Sequence, residues 1–223
     1  MTSLRLLLVL LLCSPSLIAA GWKAGAAKVD ITPRKPIWMA GYGGRTAPSD
    51  GVLHPLWAKA LALEDAQGRR AVIIATDTLG MTASLYASLK TKLAKAHNLQ
   101  PAQIMINASH THTGPVLRGG LYDIYPLNAE RIKRIEEYSA RLETEILNVT
   151  GAALKNLAPA MLKHGIGISR FSVNRRENKP YGDIPKLIAA NALKGPVDHD
   201  VPVLAVYDGL KLKAVVFGYA CHS

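Results

Sequence analysis

Residues 107–115 read NASHTHTGP, with His110 and His112 separated by a single residue. On an extended segment that spacing turns both imidazoles to one face, where they can approach one ion or one water. Ser109, Thr111 and Thr113 are short polar neighbours of the kind that orient imidazoles bound to a metal. The same residues also suit a polar loop whose histidines hydrogen-bond locally, and an H-x-H in isolation does not choose between the two. His222 is the third candidate, because it follows the apolar stretch Val215–Ala220 and stands where a core strand should run out. Its place next to the end of the chain argues the other way, since chain ends fray.

The remaining histidines rank lower. His54 before Pro55 and His199 between two aspartates read first as residues that fix loops, and His97 and His164 fall on surface patterns. Asp77 closes an apolar run, where an aspartate more often caps a turn than serves a site. Arg175, in the stretch SVNRR, reads by itself as a solvated loop cation. No serine stands in a nucleophile elbow, and Cys221 lies in an expected strand, so the sequence offers no covalent nucleophile.

These residues need elements to hold them. Strands are expected over Lys28–Pro33, Ala58–Glu64, Ala71–Asp77, Gln103–Ala108 and Ala160–Ile168, with a closing hairpin of Val201–Val206 and Lys211–Ala220 turning at Asp208-Gly209. The unbroken run AVIIATD predicts a strand covered on both faces. Leu85, Leu89 and Leu93 recur every four residues and predict a helix over 82–97. Ile132, Ile135, Tyr138, Leu142, Ile146 and Val149 predict a longer one over 128–156. Strand, helix, strand over 71–108 is a βαβ unit, so those two strands should be parallel, with Asp77 and the H-x-H at neighbouring carboxyl ends. In open α/β sheets that edge is where ligands bind. Residues 36–51 should form a structured loop, although their glycines make no phosphate cradle, and 170–195 an exposed one. The expected fold class is α/β: a mixed β-sheet with flanking helices.

Composition narrows the function less than the motifs do. The chain has 223 residues, 49% of them apolar, which is ample for a core. Residues 1–20 differ from the rest: Arg5, the apolar run Leu6–Leu12, a Ser-Pro-Ser break and Ala19-Ala20 match an export signal cut near Ala20–Gly21. That predicts a secreted or periplasmic protein whose domain spans 21–223. Loss of the signal removes Cys13 and leaves one cysteine, so no internal disulfide is expected. The 26 Lys and Arg residues beyond Arg5 face 16 acids. They are interspersed with those acids, as in RIKRIEEYSARLETE, which is a solvated helix face and not a nucleic-acid stripe. No protein partner is implied; peripheral contact with an anionic membrane surface is compatible with the charge.

Taken in order, AGAAKVDITP, MAGYGGR, HPLWAKALALED, AVIIATD, INASHTHTGP, SVNRR and PVDHDVPVLAVYDG…LKAVVFGYACH resemble the neutral/alkaline, non-lysosomal ceramidase family over essentially all of the chain beyond the signal. The resemblance implies a Zn2+ site with His110 and His222 as ligands. It places His112 and Arg175 near a substrate amide, and it implies hydrolysis of ceramide, an N-acylsphingosine, to sphingosine and fatty acid. It also implies that a glutamate and a tyrosine ligand lie beyond residue 223, so the sequence reads as the N-terminal portion of a catalytic domain. Two other readings stand beside it: an exported hydrolase of another amide or ester, and an inactive truncated remnant that binds lipid.

Overall fold

The computed structural model describes residues 21–222; the expected export signal lies outside the described residues. Seven strands, β1 (Trp22–Asp30), β2 (Trp57–Glu64), β3 (Arg70–Thr76), β4 (Ile104–Ala108), β5 (Ala158–Ile168), β6 (Asp200–Asp208) and β7 (Lys211–Phe217), form one mixed sheet in the order β4-β3-β2-β1-β5-β6-β7. Helix α1 (Ala83–His97) connects β3 to β4, and these two strands are the parallel pair, in register Val72↔Ile104 through Thr76↔Ala108. All other neighbours are antiparallel. Helices α2 (Ala129–Lys155) and α3 (Ile184–Ala189) complete the set.

The two long helices start and stop for local reasons. Thr82 caps α1 by accepting from the Leu85 amide, and Asn98, in the left-handed region at φ 52°, ends it. Asn128 caps α2 by accepting from the Arg131 amide. Helix α2 lies across β1 and β2 with α1 beside it. Leu85, Leu89 and Leu93 of α1 and Ile135, Leu142 and Ile146 of α2 are completely or almost completely buried. They meet cross-strand rows such as Ala62–Val72–Ile104. Each such leucine or isoleucine stabilises the fold by roughly 1.5–3 kcal/mol.

The expectation that AVIIATD is covered on both faces is corrected. Val72, Ile74 and Thr76 are buried beneath the helices, while Ala75 between them and Met105 on β4 are exposed. An apolar run records that its residues tolerate burial, not how many layers cover them. β1 begins at Trp22, earlier than its alternation suggested. β7 stops at Phe217, three residues before the expected Ala220, and it is not a core strand: Val215 and Phe217 are exposed. Cys221 accordingly lies exposed in coil. The segment 170–195 is more ordered than a plain exposed loop. It contains α3, and the buried Asn178 side chain ties it together by donating to the carbonyls of Asn174 and Lys194 and accepting from the Lys194 amide.

Glu143 joins the two long helices. It is buried on α2, receives Lys92 of α1 at 2.9 Å, and pairs with Arg118 at 3.4 Å. Burial pushes its carboxyl up, but the Ser88 hydroxyl, Lys92 and Arg118 outweigh that and hold it below the ordinary value of 4.5. A carboxylate lowered in the folded state contributes stability above its unfolded value and loses it as pH falls through the folded one. Glu143→Gln should therefore lose about 1–3 kcal/mol at neutral pH. In urea unfolding at a series of pH values, its deficit against the parent should shrink as the pH falls below 4.5. A deficit independent of pH would rule the charge out.

β1 and β5 pair through only three residues, Trp22–Ala24 with Ala158–Ala160. A cavity of about 400 Å³ opens at this seam, lined in part by Ala24, Ala158, Val206 and Lys213. Beyond it β5–β7 continue as their own ribbon. A flat seven-stranded sheet would hold β4 and β7 roughly 29 Å apart. The contacts between the segments that follow these two edge strands require it to curl. No described helix is long and apolar enough to cross a membrane.

Candidate metal centre

Three imidazoles meet at the carboxyl edge of β4. The ring centroids of His110 and His112 are 5.2 Å apart, and each is 4.9 Å from that of His222. One ligand atom from each ring lies within 4.8 Å of the others. The chain reaches this point from two directions. Ser109 continues β4 by donating its amide to the Thr76 carbonyl, and His110 then turns the backbone out of the strand with φ 56°. His222 arrives on coil after β7. That coil is anchored where the Tyr219 hydroxyl donates to the Ser169 carbonyl at 2.8 Å and accepts from the Ser172 amide at 3.1 Å.

The histidines differ in how they are held. His110 Nδ1 lies 2.7 Å from the Leu79 carbonyl. A carbonyl only accepts, so Nδ1 carries a proton, and in the neutral ring Nε2 is then the nitrogen with the lone pair that a metal ligand needs. His112 is half-buried, and both its ring nitrogens are buried with no hydrogen-bond partner among the described residues. Desolvation first, then the repulsion that His222, His110 and Arg45 would exert on a proton added there, holds its pKa below the ordinary histidine range. It is therefore neutral near pH 7.

A loop from the other end of the sequence closes over His112. Residues 38–40 run antiparallel to 114–116: Ala40 donates to the Gly114 carbonyl at 2.8 Å and Val116 to that of Trp38 at 2.9 Å. The chain then turns at Gly41, with φ 104° and so little room that a Cβ there would lie 2.5 Å from the His112 side chain. Tyr42 presents its ring to His112 at 4.9 Å, and Arg45 donates from Nη2 to the His112 carbonyl at 2.7 Å.

The structure thus brings His110, His112 and His222 together. Arg175 is not part of this triad; it is exposed on the segment after β5, its guanidinium 5.9 Å from the Tyr181 ring centroid. Asp77 serves the fold, its carboxylate accepting from the Trp57 amide at 2.9 Å. His97 is bonded to the Leu147 carbonyl, and His54 and His164 are exposed. Sequence reasoning missed Arg45, whose Gly-rich surroundings announced a structured loop but not what it covers.

Residues 22–223 match the family described as neutral/alkaline non-lysosomal ceramidase, N-terminal, and the chain belongs to that family. A curated relative, the neutral ceramidase of Pseudomonas aeruginosa, is 27% identical over 212 residues, covering 91% of this chain and 30% of its own length. The crystal structure of neutral ceramidase from Pseudomonas aeruginosa superposes with a TM-score of 0.67 at 22% identity, covering 89% of this chain and 31% of that one. A ceramidase complexed with C2 gives 0.66, with the same identity and coverage. The α/β fold is therefore that of the N-terminal region of these proteins. The chain spans about a third of the length of the relatives it matches.

Proposed function

We propose that this chain is the metal-bearing N-terminal part of an exported zinc-dependent amide hydrolase that cleaves the N-acyl bond of ceramide. The observation that carries the reading is the triad itself. Two distant segments deliver three imidazoles to one point, and one of them, His112, has both nitrogens buried without a hydrogen-bond partner among the described residues. Orphaned buried nitrogens are costly unless something accepts their lone pairs or protons. A borderline-soft divalent cation fits an all-imidazole donor set better than Mg2+ or Ca2+, which prefer oxygen. His110 and His222 would hold it. Zinc in such a site supplies Lewis acidity, making water acidic near neutral pH and polarising an amide carbonyl.

The chain's own residues supply the rest. His110 Nδ1 donates its hydrogen bond to the Leu79 carbonyl, which makes Nε2 the atom that would meet a metal. His112, neutral and partly shielded from water, can orient the attacking water or exchange a proton with it and with the leaving amine. Arg175 is assigned to the developing oxyanion, and the exposure of its segment leaves it free to meet a substrate. The spacing of the ligand atoms favours a second reading of His112, as a third ligand, since catalytic zinc sites take three protein ligands. His112→Ala separates the two: an acid–base role costs turnover and leaves metal affinity intact, whereas a ligand costs both.

The assay is release of sphingosine and fatty acid from N-acylsphingosine by the protein expressed from its own gene and recovered from the medium or periplasm. Release that a chelator stops and zinc restores is expected. Zinc binding without release from ceramide would move the substrate to another amide or ester, and a protein that binds no metal would overturn the reading.

A further inference from the structure

His110 is aimed by a hydrogen bond from its own ring, but His112 has no such partner for either nitrogen, so its orientation is set by backbone and packing. Those constraints come from one turn, Gly41–Arg45. Gly41 lies against the His112 Cβ and Cγ, Tyr42 stands edge-on to the ring, and the Arg45 guanidinium lies 5.3 Å from the Tyr42 ring centroid. Arg45 bonds the His112 carbonyl at 2.7 Å, and its Nε is buried without an acceptor among the described residues. No carboxylate among the described residues forms an ion pair with it, so it is not held here by a salt bridge. A charge-assisted bond from arginine to a carbonyl is among the stronger hydrogen bonds and fixes the peptide plane that follows the imidazole.

We infer that Arg45 is the positioning residue of His112: its bond to the His112 carbonyl, braced on Tyr42, holds that imidazole within reach of His110 and His222. The functional weight of this inference rests on the metal reading above, but the position of His112 is measurable without any metal.

The test compares the parent chain with Arg45→Ala, Arg45→Met and Arg45→Lys. In chelator-treated protein, the rate at which diethylpyrocarbonate modifies His112 is followed by peptide mass spectrometry, with exposed His54 as internal reference. Arg45→Ala should speed His112 modification several-fold and leave His54 unchanged. Zn2+ affinity, measured by competition with a chromophoric chelator, should fall about tenfold where His112 serves as a third ligand, the lower end of the cost of losing an outer partner of a ligand. It should stay unchanged where His112 serves only as acid or base; His112 reactivity decides the inference in either case. Arg45→Lys, which keeps a cationic donor, should recover part of both. Arg45→Met keeps the stem over Tyr42 without a donor, and decides the matter if the alanine variant does not fold. Unchanged His112 reactivity in Arg45→Met overturns the inference. If the parent binds no Zn2+, the metal reading fails, while the reactivity of His112 still decides the role of Arg45.

Discussion

His110→Asn, at the zinc ligand proposed above, should weaken Zn2+ binding by at least ~100-fold, the upper end of what even an outer-shell change costs, and remove most of the thermal stabilisation expected from bound metal. Asparagine is chosen because residue 110 sits at φ 56°, a left-handed conformation that asparagine adopts more readily than most residues. Backbone strain is then kept apart from loss of the ligand. At a free metal concentration about 100 times the dissociation constant, binding stabilises a folded chain by roughly 2.7 kcal/mol. For a domain of this size that raises the melting temperature by roughly 5–10 °C. The parent should show this shift with Zn2+ and lose it with chelator, and the variant should keep no more than roughly 1–2 °C of it. His54→Asn, on an exposed loop, is the control and should behave as the parent. Equal Zn2+ affinity in parent and His110→Asn would remove His110 from the metal site, and with it the reason for Leu79 to fix its tautomer.

How much of this arrangement the sequence discloses depends on how local its causes are. Both long helices are legible almost to the residue: leucines four apart, a threonine and an asparagine at the amino ends and an asparagine after each carboxyl end all act within a turn or two. The parallel β3–β4 pair is legible too, because a short crossover helix leaves few other topologies. β7 is misread as core because apolar content was taken for burial. The start of β1 is missed because Ala24–Ala27 is built of small residues suited to a close helix and does not alternate as a half-buried strand does. The H-x-H and His222 stand out as candidate chemistry, yet nothing local states that β4 and β7, opposite edges in strand order, deliver them to one place. The grip of Arg45 on His112 crosses 67 positions of sequence and depends on a backbone carbonyl, which no side-chain pattern records.

Gly25 is where those small residues matter most, and Gly25→Ala should destabilise the fold by about 3 kcal/mol, the upper end of ordinary overpacking costs. The residue pairs with Ala62 in the middle of β1–β2 and is buried. A Cβ at this position would lie 2.2 Å from the Ala153 carbonyl oxygen, 2.6 Å from the Asn156 carbonyl carbon and 2.7 Å from the Leu157 amide nitrogen. All three are backbone atoms at the end of α2, so no rotamer change relieves the contact. The helix end is also tied down, since Asn156 donates from Nδ2 to the Ala26 carbonyl at 3.1 Å. Relief requires α2 to lift from β1, which strips cover from Ala153 and loosens the layer beneath Val149 and Ile146. Replacing glycine elsewhere commonly gains about 0.4–1 kcal/mol by restricting the unfolded chain, so the loss must exceed that gain. Gly80→Ala provides the comparison, because a Cβ there meets nothing within 4 Å and its backbone is not in the left-handed region. In thermal melts Gly25→Ala should fall by roughly 6–12 °C, and Gly80→Ala should match or slightly exceed the parent. A Gly25→Ala melting temperature equal to that of Gly80→Ala would mean that the end of α2 does not rest on β1 as described.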